Sequence, residues 1–171
     1  MILDKEIRSK ILQDYLFISG KVKINQSYFI EKIEQSIKTS GMEFTTNVKG
    51  YMTPWDYFVG DDKFLEVLLP VFDKLDEYKL LKYELKEAWG LKEGWAHFTT
   101  IHNHLPCYLS GVLYLNDHPQ KLDFPDINES IIPEEGRFVM FSSFLNHKAK
   151  RNVIEKAKYA IAFNCHNMDL V

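Results

Sequence analysis

Residues Gly94–Asn116 read GWAHFTTIHNHLPCYLSGVLYLN, and two later runs answer them: GRFVMFSSFLNHKAKRN from Gly136 and KYAIAFN from Lys158. In an extended chain alternate side chains share a face, so Ala96, Phe98, Thr100, His102 and His104 are expected to point the same way. Two imidazoles side by side repel when protonated and leave nitrogens unpaired when neutral, so a shared metal is the less costly arrangement. His147 follows the next strongly apolar run, where a sheet folding back on itself brings a third imidazole to the same point. Of the six histidines, His97, His118 and His166 do not converge in this way. His97 falls on the opposite strand face and reads as a hydrogen-bonded core residue.

Around this stretch the chain divides in character. Asp4 to about Leu16 has a helical face of Ile7, Ile11, Leu12 and Tyr15, followed by the basic, hairpin-like SGKVKIN. A second helix is expected from Asn25 or Ser27 to Ser40-Gly41, carrying Phe29, Ile30, Ile33 and Ile37. FTTNVKGYMTPWDYF, from Phe44 to Phe58, reads as a strand and then an irregular loop, with Thr53, Trp55 and Tyr57 either at a pocket mouth or covering the core edge. Asp61 or Asp62 caps a third helix through Leu75, which Pro70 is expected to kink or split. From Tyr83 every segment looks like strand: Tyr83, Leu85, Glu87 and Trp89 alternate with polar neighbours. Further runs follow at about 95–104, 107–116, 121–124, 137–142, 145–151 and 157–165. Helices first and short strands afterwards predict an α+β fold, with a sandwich or open barrel and helices on one outer face.

The chain has 171 residues, 46% hydrophobic and 14% aromatic, which suits one well-buried core: a single domain over 1–171, with 1–80 mainly helical support and 81–171 the β core bearing the site. A net charge of -3 provides no broad basic field, so neither nucleic acid nor an anionic membrane is an expected partner. No apolar run reaches transmembrane length and the first residues lack the pattern of a secretory signal. Cys107 and Cys165 read as buried free thiols, and the expectation is a soluble, cytoplasmic protein.

Lys158 heads an apolar strand and shares a face with Ala160, Ala162 and Asn164. If that face looks inward, the ammonium must be neutralised, and a ligand carboxylate would do so. If the strand end is exposed, its stem reaches water.

His102-Asn103-His104, LSGVLYLND (Leu109 to Asp117), GRFVMFSSFLNH ending at His147, and KYAIAFN together resemble the core of the iron(II)/2-oxoglutarate-dependent oxygenases. The likeness is to the HxH-type members, distant relatives of prolyl hydroxylases found in marine bacteria and their phages, and it covers Trp89 to Asn164. It implies a double-stranded β-helix, or jelly roll. It also implies Fe(II) on His102, His104 and His147, and Lys158 paired with the far carboxylate of 2-oxoglutarate. Tyr114 and Ser110 become secondary cosubstrate contacts. The implied activity is hydroxylation of a peptidyl, prolyl-like or small-molecule C–H, in the host cytoplasm if the chain is phage-encoded.

Three features depart from the family pattern. Position 104 is His where the usual set has a carboxylate, the cosubstrate cation is Lys where the nearest relatives have Arg, and Ala160 stands where a small hydroxyl residue is common. Asp123 or Asp126 is a candidate for the missing carboxylate, against a turn or surface role for both. Two other readings stand beside the first: a three-His cupin-type metalloenzyme that does not use 2-oxoglutarate, and a non-catalytic jelly-roll binding module. Trp55, Tyr57, Trp89 and Trp95 could form a substrate platform or belong to the core.

Overall fold

The structure is a computed structural model that describes residues 14–40, 42–43, 46–78 and 82–168. Most of the helix expected from Asp4 to Leu16 lies outside the described residues. The chain then forms strand β1 (Phe17–Lys21), helix α1 (Gln26–Ser40), short strands β2 (Met42–Glu43), β3 (Val48–Lys49) and β4 (Tyr51–Met52), and helix α2 (Asp62–Asp76). Next come β5 (Tyr83–Glu93), β6 (Phe98–His102), β7 (Leu109–Tyr114) and β8 (Leu122–Phe124). The last are β9 (Glu129–Ile131), β10 (Arg137–Ser142), β11 (His147–Ala149) and β12 (Lys158–Asn167). All pairings are antiparallel, in a seven-stranded sheet ordered β1-β10-β7-β12-β5-β4-β2 and a five-stranded sheet ordered β3-β6-β11-β8-β9.

The strands of the large sheet are apolar on both faces because each face covers a different layer. Along β12, Ile161, Phe163 and Cys165 turn toward the helices, while Ala160 and Ala162 turn toward the small sheet. In β10, Phe138 and Met140 face the helices, and Val139 and Phe141 face inward. Phe29 and Ile33 of α1 and Phe64, Leu68, Val71 and Leu75 of α2 complete the outer core. The second core, between the sheets, includes Trp89, Leu91, Tyr114, Leu122 and Phe124. Gly90 is small because α1 lies on it: a Cβ there would stand 2.4 Å from Cγ1 of Ile33.

Helix α2 begins where Asp61 accepts a hydrogen bond from the Phe64 N–H at 2.9 Å, and it runs unbroken through Pro70 instead of splitting. Asp61 also receives Lys32 (2.5 Å) and Tyr28 (2.7 Å) from α1, tying the two helices together. The SGKVKIN segment does not fold back on itself. Its first part is β1, an edge strand zipped to β10, and Val22 N–H then donates to Gly136 O at 2.9 Å. Among the described residues no helix is long and apolar enough to cross a membrane.

Candidate metal centre and its cavity

Strand β6 pairs with β11 in the small sheet, and the register sets His102 directly opposite His147. The extended face predicted from Ala96 to His104 is shorter than that. Ala96 takes a left-handed φ of 65°, β6 spans only Phe98–His102, and His104 lies just beyond the strand end. His104 is held there by its N–H to Ser143 O (2.8 Å), while Cys107 N–H closes the following turn on His104 O (2.9 Å). The three rings still meet. Their centroids are 4.3 Å (His102–His147), 5.0 Å (His102–His104) and 5.0 Å (His104–His147) apart, and one nitrogen from each lies within 4.8 Å of the others.

The donor set fits a metal ion. Nδ1 of His102 lies 2.8 Å from Thr100 O, and Nδ1 of His147 lies 3.2 Å from Leu145 O. A carbonyl can only accept, so each Nδ1 carries the proton and each Nε2 presents a lone pair. Nε2 of His104 and Nε2 of His147 are 3.2 Å apart. Two nitrogens about 2.1 Å from a common ion at roughly tetrahedral or octahedral angles stand about 3.0–3.4 Å apart, so this pair is already set for one.

Burial keeps the imidazoles neutral. It pushes His147 down to about 3, helped by His102 and His104, and pushes His104 down to about 4, helped by His102. His102 is also lowered by burial, with the Thr100 carbonyl opposing. Phe141 and Phe124 wall His147 at ring distances of 5.0 and 5.7 Å. Neutral imidazoles of this kind suit iron, zinc, copper or nickel.

From the histidines a narrow cavity of about 50 Å³ runs between the sheets, with apolar walls that include Leu91, Val112, Leu122 and Phe141. Lys158 and Tyr114 both line it. Lys158 faces inward, as the alternation on β12 required, and it does not wait unpaired: its Nζ is 2.6 Å from Oε2 of Glu93, with side chains only 4% and 3% exposed. Thr99 donates from Oγ1 to Oε1 of Glu93 at 3.3 Å. Burial and the nearby Glu93 both raise the Tyr114 hydroxyl, which therefore stays protonated. Ser110 is buried in a different network, 2.7 Å from Ser143 Oγ and donating to Asn164 Oδ1 at 2.7 Å.

Glu93 is the residue that sequence reasoning passed over. The signal was present: Glu87, Trp89, Leu91 and Glu93 share one face of β5, and the β5–β12 register sets Glu93 opposite Lys158.

Asp126 sits in the turn after β8, and Asp123 lies in β8 itself, paired across to β9. Asp123 accepts from Ser130 Oγ (2.7 Å), Asp126 accepts from Asn146 N–H (2.8 Å), and neither belongs to the histidine group. His97 accepts from Gly94 N–H at 3.0 Å, and His118 is bound to Gln120 N–H and Lys156 O, so both are occupied structurally. His166 instead stands 3.5 Å from Cys107 Sγ, beside Glu87. Cys107 is only half-buried because its turn precedes β7, whereas Cys165 is buried, and both thiols are free.

Outside His102 and His104 a groove opens over Trp55, Glu87, Asn103, Leu105 and Asn164. Trp89 borders both this groove and the inner cavity, and its buried Nε1–H has no acceptor among the described residues. Thr53 is fully buried and caps Gly90 N–H, Tyr57 donates to Lys32 O beneath the helices, and exposed Trp95 is not part of the groove.

No protein-family model and no curated protein matches the sequence. Solved structures do match. A viral collagen prolyl hydroxylase from Paramecium Bursaria Chlorella virus-1, in complex with 2-oxoglutarate, is 13% identical with a TM-score of 0.68, covering 87% of this chain and 94% of that one. A prolyl hydroxylase from Trichoplax adhaerens, holding a hypoxia inducible factor peptide fragment, is 15% identical with a TM-score of 0.65, covering 91% and 84%. SnoK, a non-heme α-ketoglutarate-dependent carbocyclase of nogalamycin biosynthesis, is 13% identical with a TM-score of 0.71, covering 90% and 79%. The chain therefore has the double-stranded β-helix fold of the iron- and 2-oxoglutarate-dependent oxygenases.

Proposed function

We propose that the protein is an iron(II)- and 2-oxoglutarate-dependent oxygenase that hydroxylates a peptidyl, prolyl-like or small-molecule C–H. The observation that carries this reading is the pairing of three convergent neutral imidazoles with a buried ammonium, Lys158, in one cavity of this fold. When bound, the metal and cosubstrate supply the oxidation, and the protein supplies ligands, orientation and a dry pocket.

His102, His104 and His147 hold the metal. Lys158 receives the far carboxylate of 2-oxoglutarate, and the protonated Tyr114 hydroxyl donates into the same cavity. Ser110 acts one step removed, bracing Asn164, whose amide donates to Glu87 Oε2 at 2.5 Å on the groove wall. The substrate lies along that groove, which opens directly outside His102 and His104 and is bordered by Trp55 and Trp89. The free thiols Cys107 and Cys165 support a cytoplasmic setting.

Succinate release from 2-oxoglutarate tests the reading without knowledge of the substrate. Iron-loaded protein is expected to release succinate slowly, and His102→Ala to release none. Equal release from both would refute the assignment.

One observation favours a second reading, a three-His metalloenzyme without 2-oxoglutarate. Glu93 already neutralises Lys158, so the cavity is charge-complete without an added acid. Lys158→Ala separates the two: it abolishes 2-oxoglutarate binding in the first case and leaves turnover unchanged in the second.

A further inference from the structure

We propose that Glu93 is a built-in rival of the cosubstrate, so that a dicarboxylate must displace it from Lys158, while a 2-oxo acid with an apolar tail need not. This rests on the reading above.

The two side chains are register partners on adjacent strands and lie inside the cavity that the cosubstrate would fill. Their contact is 2.6 Å with both groups almost wholly excluded from water, and Thr99 fastens the second oxygen of Glu93. A lone buried ammonium is very unfavourable, which explains the pair. An arriving carboxylate faces the opposite problem. Two carboxylates on one ammonium leave a surplus negative charge in a low-dielectric site, so Glu93 must swing away, which costs binding free energy. A 2-oxo acid ending in an alkyl group avoids that cost and meets Leu91, Val112, Leu122 and Phe141. Glu93 therefore narrows the advantage that Lys158 would otherwise give to 2-oxoglutarate.

The test is calorimetric titration of nickel-loaded protein with 2-oxoglutarate and with 2-oxovalerate, on the wild type, Glu93→Gln and Glu93→Asp. Removing a charge-assisted competitor is expected to tighten 2-oxoglutarate on the order of tenfold in Glu93→Gln, with 2-oxovalerate changed less than about twofold. Glu93→Asp, whose carboxylate stops one methylene short, is expected to fall between and gives the comparison if the Gln variant does not fold. Equal or weaker 2-oxoglutarate binding in the variants overturns the rivalry and leaves the cosubstrate assignment standing. Nickel binding in all three proteins with no 2-oxoglutarate binding in any overturns both.

Discussion

His102 and His147 stand opposite each other across the β6–β11 pair with ring centroids 4.3 Å apart, so backbone pairing of the small sheet itself brings two of the three imidazoles together. Each imidazole is anchored through Nδ1 to a main-chain carbonyl two residues upstream, Thr100 and Leu145. These contacts fix the tautomer and aim each Nε2 at the shared point.

Loss of a single imidazole should be decisive for metal and mild for the fold. His147→Ala is expected to lower metal affinity by more than the roughly 10–100-fold that losing an outer-shell partner costs. Equilibrium dialysis with nickel or iron measures this, and circular dichroism confirms that the strands persist. Unchanged affinity would show that the three rings are packing residues.

Acid should weaken the metal-free protein earlier than an ordinary carboxylate titration would. An unfolded histidine takes up a proton near its ordinary 6.5, whereas folded His104 and His147 do so only near 4 and 3. The unfolded chain therefore binds more protons as pH falls below 6.5. The stability these residues contribute is complete above that value and is lost progressively down toward 3, at about 1.4 kcal/mol per unit for each group. The urea midpoint is expected to drop between about pH 7.5 and pH 5, and His147→Leu should flatten the slope. A midpoint independent of pH in the wild type would contradict burial of neutral rings.

Asp61 joins three structural tasks. Burial pushes its carboxyl up, but hydrogen bonds from Lys32, Tyr28 and the Phe64 N–H outweigh this and hold it below the usual range. Asp61→Ala removes the α2 cap and strands both α1 partners, an expected loss of about 1–3 kcal/mol. Asp61→Asn keeps an acceptor for Phe64 and should cost roughly half as much. Equal losses in urea denaturation would mean that the charge, and not the cap, dominates.

Gly90 and Ile33 should couple. A methyl at position 90 meets Ile33 Cγ1 at 2.4 Å, so Gly90→Ala is expected to destabilise by about 1–3 kcal/mol through overpacking. In the Ile33→Ala background the same change fills vacated space and should cost far less. Additive losses in the double-mutant cycle would show that α1 does not bear on this point.

Much of the site was legible because strand alternation is a strong local rule. His102 and His104 two apart, and Lys158 with Ala160 and Ala162, announced their faces, and the apolar GRFVMF run located β10 ahead of His147. What escaped depends on pairing between distant segments. Glu93 drew no reading because its partner Lys158 is set beside it only by the β5–β12 pairing, and β1 read as half of a hairpin because its partner, β10, lies more than a hundred residues away. The three-residue β9 left no pattern to find, and Asp123 and Asp126 resolved into a cross-strand contact and a turn once their hydrogen-bond donors were in place.

The most direct measurement is an anaerobic titration of the metal-free protein with Fe(II) followed by 2-oxoglutarate, observed by visible absorption. One equivalent of iron, and a metal-to-ligand band that appears on adding 2-oxoglutarate and vanishes in His102→Ala and His147→Ala, is the expected result. Stoichiometric 2-oxoglutarate that produces no band, or a band that survives both substitutions, would contradict a metal centre built on these three histidines.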